Sequence, residues 1–115
     1  MAQLLRLLPE ASGAVLSDES GEPIDSAHRP DRINEIDIQI AGAQLGQLMS
    51  RTYGNAMVFG LGPPTVIAES ERGMLIARCI QHDYLYTLVI DRKASLNRVL
   101  PCFETSAQLL AEFIG

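Results

Sequence analysis

The part of the sequence that most constrains the fold is residues 65–80, TVIAESERGMLIARCI. Its alternating first half and its apolar second half predict two strands joined by a turn at Glu71-Arg72-Gly73. No earlier segment looks like a strand able to cover the outer edge of the first of these two. Because an unpaired row of backbone amides can bind another chain, the fold must deal with an open sheet edge.

Three more segments have strand character. Residues 84–90, YLYTLVI, extend the pair to a three-strand meander, and residues 13–17 and 23–27 form a hairpin about an acidic glycine turn. Pro23 belongs on an edge strand, where its missing amide faces no neighbour, and Asp25 places a charge on the same strand. This second edge is therefore predicted to be protected against pairing.

The segment that begins at Arg32 fits two patterns. Ile36, Ile38 and Ile40 alternate with polar residues as in a half-buried strand, but the segment also has two apolar stripes at helical spacing. Ile33, Ile36, Ile40 and Ala43 form one stripe, and Ile38, Ala41, Leu45, Leu48, Met49 and Thr52 form the other. Asn34 suits a helix N-cap and Gly54 a helix end. We interpret the segment as a helix that needs a second surface besides one sheet.

A helix is predicted at each end of the chain. The leucine-rich opening helix ends at Pro9, and the closing helix lies between Ala94 and Phe113 with Pro101 inside it. Either that helix bends at Pro101, or residues 95–100 form a separate turn and the main helix begins with the proline. The predicted order is helix, two strands, helix, three strands, helix, in one domain of residues 1–115.

Composition limits the classes of partner. The chain has 115 residues, is 47% hydrophobic and carries a net charge of −5 with no basic block, which argues against nucleic acid or an anionic membrane as the main partner. No apolar run is long enough for a membrane span, so we expect a cytoplasmic protein. Cys79 and Cys102 are too far apart for a CxxC or zinc motif, and we expect two buried or half-buried thiols.

The sequence contains no recognisable catalytic constellation. The best candidates, His28, His82, Asp25 and Asp83, have no assured partner for proton transfer, and the glycine-rich FGLGPP lacks the residues of a phosphate-binding loop. We therefore expect no catalytic residue, metal site or cofactor of the chain's own.

Three segments together resemble a known family. LLRLLPEASGAVLSDESGEPI, TVIAESERGMLIARCI and VIDRKASLNRVL are similar, in order and spacing, to segments of Roadblock domains, the dynein light-chain superfamily, of the bacterial gliding-regulator type. The resemblance implies an α+β, profilin-like fold. In this fold a single five-stranded, mostly antiparallel sheet carries the long helix on one face and the two terminal helices on the other. Pro101 departs from the uninterrupted last helix of such domains.

The resemblance also implies how the open edge is used. In such domains the strand at residues 65–70 is the free edge and pairs with its copy in a second chain, while the two long helices lie side by side. The dimer interface expected on this basis consists of Thr65, Val66, Ile67, Ala68 and Glu69 from the strand and Leu45 and Met49 from the helix.

The function implied by the resemblance is a homodimeric regulator of a small Ras-like GTPase, which either accelerates hydrolysis or tethers the GTPase. The partner-binding surface expected on the helix pair is Gln44, Gln47, Leu48, Arg51 and Tyr53. We favour Arg51 as a solvated cation at the helix end over an inserted arginine finger. The alternatives are a non-enzymatic adaptor that clamps a peptide of a larger complex, or a small-ligand sensory domain.

Overall fold

The computed structural model describes residues 1–18, 20–34, 36–40, 42–44, 48–49, 60, 64–69, 71, 73–81, 84–91 and 95–114. The elements are α1 (Ala2–Arg6), β1 (Ala11–Asp18), β2 (Pro23–His28), β3 (Thr65–Glu69), β4 (Gly73–Ile80), β5 (Tyr84–Asp91) and α3 (Leu96–Ile114). Between β2 and β3, residues 36–40, 42–44 and 48–49 are helical, and we call them α2. The element order predicted from periodicity is confirmed.

The five strands form one sheet in the order β2-β1-β5-β4-β3, and all neighbours are antiparallel. β1 lies inside, while β3 and β2 are the two edges, as the resemblance implied. In the β1–β2 turn, the Asp18 carboxylate accepts hydrogen bonds from the amides of Ser20 and Glu22, and Gly21 has φ +84°. The turn is thus stabilised by the hydrogen bonds to Asp18. It also uses glycine at the position with positive φ, where other residue types would be strained.

The helices cover both faces of the sheet. Leu5 of α1 and Phe103 of α3 belong to one buried cluster with Leu88 of β5. On the other face, Met49 of α2 packs with Ala77 and Leu85. The α+β sandwich is therefore confirmed, with the helix α2 on one face of the sheet and both terminal helices on the other.

Two glycines allow α2 to approach the sheet closely. A Cβ atom on Gly13 of β1 would lie 2.6 Å from Cδ1 of Ile38, and one on Gly42 of α2 would lie 2.9 Å from Cγ1 of Val15. Both distances are shorter than van der Waals contact, so a side chain at either position would force a neighbouring side chain or the helix to shift.

The ambiguous segment after Arg32 is a helix. The amide of Asp37 donates to Oδ1 of Asn34 at 2.8 Å, which is the predicted N-cap bond. Ile38 is fully buried, whereas Ile36 and Ile40 are 68% and 48% exposed, although in a strand all three would share one face. The predicted helix end at Gly54 lies outside the described residues.

α3 runs without a break through Pro101, so the alternative in which residues 95–100 form a separate turn is wrong. Cys79 is half-buried as expected, but Cys102 is exposed, because the neighbouring Phe103 occupies the face of α3 that packs on the sheet. Of the helices described, none is both long enough and apolar enough to cross a membrane.

Candidate functional site

The edge strand β3 pairs only with β4 within the described sheet. Its register places Val66 opposite Ala77 and Ile67 opposite Ile76. Because directly opposed residues in an antiparallel pair share a face, Val66 points toward α2 and Ile67 toward α3. Among the described strands, none pairs with the other backbone edge of β3.

On the face of β3 that is turned toward α2, the side chains pack within the chain. On the opposite face, β3 has an apolar side chain that is partly exposed. Val66 packs against the cluster of Met49, Ala77 and Leu85. Ile67 remains 38% exposed, and Glu69 is exposed. One face of the strand is thus anchored, while an isoleucine at its middle is in contact with water.

A polar clamp ties the start of β3 to α3. Arg78 of β4 donates from Nε to Oγ1 of Thr65 at 2.8 Å and binds both carboxylate oxygens of Glu104 through its two terminal nitrogens. Its guanidinium also lies 5.5 Å from the centre of the Phe103 ring. The hydrogen bonds from Arg78 lower the pKa of Glu104. Sequence reasoning missed this clamp, because nothing in the local pattern relates the residues it joins.

α2 carries exposed apolar residues on the side away from the sheet. Ile36, Ile40 and Leu48 are 68%, 48% and 49% exposed, and Gln44 between them is exposed as well. These four residues are spaced four apart and form what we call the α2 ridge. The sequence pattern placed Ile36 and Ile40 in an apolar stripe, but neither was assigned to the interaction surface. Their spacing of four residues from Gln44 and Leu48, which were assigned to it, could have indicated that they share this surface.

α2 brings this ridge toward the open edge. Near its beginning Ile38 lies against Gly13 of β1, and near its described end Met49 lies with Val66 of β3. The helix therefore runs across the sheet from an inner strand to the edge strand, so Leu48 and β3 are close to each other. The Leu48 end of the ridge is therefore the end that lies toward the open edge.

The residues predicted for the interaction surface differ in how far they are exposed. Gln44, Leu48, Ile67 and Glu69 are exposed, and Thr65, Val66 and Ala68 are half-buried. Met49 is only 1% exposed because its side chain packs on the sheet of its own chain, so it lies below the interaction surface and not in it. The predicted residues Leu45, Gln47, Arg51 and Tyr53 lie outside the described residues.

The catalytic candidates are not brought together in the described structure. Asp25 binds the amino group of Met1 at 3.0 Å, His28 is half-buried at the end of β2, and His82 and Asp83 lie outside the described residues. Within the described ranges, no three His, Cys, Asp or Glu side chains are grouped as a metal site would require.

Comparison with known proteins gives a uniform result for the fold. No family model and no curated protein matches the sequence. MglB of Myxococcus xanthus is 20% identical with a TM-score of 0.78, and the match covers 95% of this chain and 89% of that one. The gliding protein MglB of Thermus thermophilus is 20% identical with a TM-score of 0.80 over 95% and 83% of the two chains. A Roadblock/LC7 domain of Streptomyces avermitilis is 15% identical with a TM-score of 0.80 over 99% and 93%. The chain therefore has the Roadblock/LC7 fold.

Proposed function

We propose that this protein is a cytoplasmic, homodimeric regulator or scaffold that binds a small Ras-like GTPase and modulates its nucleotide cycle or its localisation. The observation that carries the proposal is the open edge of β3 beside the exposed apolar residues of the α2 ridge. The unpaired backbone groups of such an edge can form hydrogen bonds with another strand, and in a homodimer that strand is β3 of the second copy.

The energetics favour an interface made of both the strand and the helix. A few backbone hydrogen bonds at about 0.5–1.5 kcal/mol net each do not offset an association cost of about 4–15 kcal/mol. Burial of the apolar side chains Ile36, Ile40 and Ile67 against a second copy would add the missing stabilisation. Ile36 and Ile40 would thus extend the dimer surface beyond the predicted interface residues, which already include Ile67.

The choice of partner rests on the resemblance to Roadblock proteins of the gliding-regulator type. Two of the solved structures with this fold are MglB proteins, one of them a gliding protein, and a further MglB structure has a tetrameric arrangement. Proteins with this fold can thus assemble through their surfaces.

The proposed mechanism requires no catalytic group from this chain. Small GTPases hydrolyse GTP slowly because their own catalytic groups are badly placed, so a surface that holds the switch residues in place can accelerate hydrolysis. We assign this role to Gln44, Gln47, Leu48, Arg51 and Tyr53 on the paired helices.

The proposed dimer is tested by comparing two single substitutions to lysine, one on each edge strand of the sheet. Ile67→Lys on β3 places a charge in the proposed seam, whereas Ile24→Lys on β2 changes an isoleucine that is 53% exposed on the opposite edge. In sedimentation velocity at micromolar concentration, we expect the parent and the Ile24→Lys variant to be dimers and the Ile67→Lys variant to be a folded monomer. A monomeric parent, or equal dissociation of both variants, would contradict the proposal.

The GTPase is tested separately. Each small Ras-like GTPase from the same genome is purified, loaded with a GTP analogue or with GDP, and titrated with the dimer, and single-turnover hydrolysis is then measured. We expect one GTPase to bind preferentially in its GTP form. Binding that does not depend on the nucleotide would favour the adaptor function, and absence of binding to all of them would exclude the GTPase proposal while leaving the dimer intact.

A further inference from the structure

A cavity of about 460 Å³ lies on the opposite side of the sheet from the proposed seam. It is formed by α1, the end of β2 and the loop of residues 29–32. Because β2 is the edge of the sheet farthest from β3, none of the elements that form this cavity takes part in strand pairing at β3.

The cavity concentrates positive charge in an acidic chain. Arg6, Arg29 and Arg32 line it, and among the described residues of its wall Asp31 is the one that is acidic. Of the described residues, no carboxylate forms an ion pair with any of the three arginines, since the ion pairs present are Met1 with Asp25, Arg78 with Glu104, and Arg98 with Glu10. The described part of the wall thus has three guanidinium groups against one carboxylate, although the chain as a whole carries −5.

Two of these arginines are held in place by backbone carbonyls. Arg29 donates from Nε to the carbonyl oxygen of Ala11 at 2.9 Å and from Nη2 to that of Leu5 at 2.9 Å. Arg32 donates from Nη1 to the carbonyl oxygen of Pro9 at 3.0 Å. Because these carbonyls carry no net charge, the hydrogen bonds position the two side chains without pairing either guanidinium with a carboxylate.

The same two arginines keep donors for a ligand. Arg29 uses Nε and Nη2 for its hydrogen bonds to the chain, which leaves Nη1, and Arg32 uses Nη1, which leaves Nε and Nη2. Arg6, in the last turn of α1, is exposed and forms no hydrogen bond with the described residues. Guanidinium donors are the groups that bind the oxygens of a phosphate or a carboxylate.

We propose that this arginine cavity binds a small soluble molecule that carries a phosphate monoester. The wall has two positive charges in excess, and a phosphate monoester carries a charge of about −1.5 to −2 at neutral pH, whereas a carboxylate carries only one. The volume exceeds that of a phosphate group, and the side chains of Ala2, Leu5 and Ala27 provide an apolar wall for the rest of the molecule.

The test uses glycerol 3-phosphate as the probe and glycerol as its uncharged counterpart. Amide chemical shifts of the full chain are followed by NMR while each compound is added. We expect saturable shifts at residues 2–6 and 27–32 with glycerol 3-phosphate and no shifts there with glycerol. Arg6→Gln removes one guanidinium without removing a hydrogen bond to the chain, and we expect it to weaken binding roughly tenfold.

The matched control is Arg98→Gln, which removes the same charge from an arginine that is 77% exposed and outside the cavity. We expect this variant to bind as the parent does. Equal weakening in both variants, or absence of saturable shifts with glycerol 3-phosphate, would overturn the proposal. A last measurement uses vesicles containing phosphatidic acid, whose headgroup is also a phosphate monoester; binding to the vesicles without binding of glycerol 3-phosphate would assign the cavity to a lipid and overturn it as well.

Discussion

Tyr86 shows at the scale of one residue how a polar group is accommodated in the core. Its side chain is fully buried, and its ring stacks on Phe103 with 5.0 Å between the ring centres. The hydroxyl of Ser106 donates to the carbonyl oxygen of Phe103 at 2.8 Å, so the Tyr86 hydroxyl is the donor in the 2.9 Å hydrogen bond that joins it to Ser106. Burial raises the pKa of Tyr86 to about 12.

This raised pKa predicts a loss of stability at high pH. In the unfolded chain Tyr86 ionises near its ordinary pKa of 10.0, so between that pH and about 12 the unfolded state binds fewer protons than the folded state. The free energy of unfolding should therefore fall by up to about 1.4 kcal/mol per pH unit in this range, measured by urea unfolding. In Tyr86→Phe we expect this part of the slope to be absent, and an unchanged slope would contradict the assignment.

At the scale of one element, α3 contains a proline in its second turn. Pro101 is exposed and is the sixth residue of the helix. Because proline has no amide hydrogen, the carbonyl of Asn97 lacks its normal helical partner, and the ring crowds that carbonyl. The packing of Val99, Phe103 and the later buried residues of α3 on the sheet overrides this local cost.

Replacement of Pro101 by alanine should stabilise the protein. Restoring the amide and removing the ring should raise the free energy of unfolding by about 1–3 kcal/mol, measured from urea midpoints. Gln108→Ala, at an exposed site of the same helix, serves as the control and should change it by less than about 0.5 kcal/mol. A lower urea midpoint for Pro101→Ala than for the parent would contradict this prediction, because it would mean that the proline stabilises the folded chain.

The contact between α2 and the sheet gives a second prediction at this scale. In Gly42→Ala the new methyl group meets Cγ1 of Val15 at 2.9 Å and Oγ of Ser17 at 3.0 Å. The overpacking cost of about 1–3 kcal/mol should exceed the roughly 1 kcal/mol that alanine gains over glycine in a helix, so we expect net destabilisation.

A double-mutant cycle tests the cause of this effect. Val15→Ala removes the methyl groups that obstruct the new side chain, so it should cost less stability in the Gly42→Ala background than in the parent. Equal costs in the two backgrounds would mean that the close approach of α2 does not limit the residue at position 42.

At the scale of the whole molecule, stability and assembly should be linked. If the seam includes β3 together with Ile36 and Ile40 of the α2 ridge, the apolar side chains Ile36, Ile40 and Ile67 are covered only in the dimer. The urea midpoint of the parent should then rise with protein concentration over a range of about fiftyfold, because dimerisation stabilises the folded chain by mass action. The midpoint of Ile67→Lys should not depend on concentration, and a concentration-independent parent would contradict the linkage.

The sequence by itself determined the local features of this protein. Alternation and helical spacing predicted the five strands and three helices, Asn34 predicted the start of α2, and Pro23 predicted a protected edge. These features follow from residues a few positions apart, and the periods of strands and helices are set by backbone geometry. The resemblance to Roadblock domains supplied the strand order, which places β3 at an edge.

Only the tertiary structure decided which surfaces are exposed and which charges meet. It buried Met49 beneath the ridge, exposed Ile36, Ile40 and Cys102, joined Arg78 to Glu104 across 26 positions, and gathered three arginines around one cavity. Each of these results depends on how one element docks on another, and a hydrophobic pattern does not specify which of two apolar stripes will face the sheet. The glycines at positions 13 and 42 contribute to that docking, because α2 and the sheet are close together at both positions.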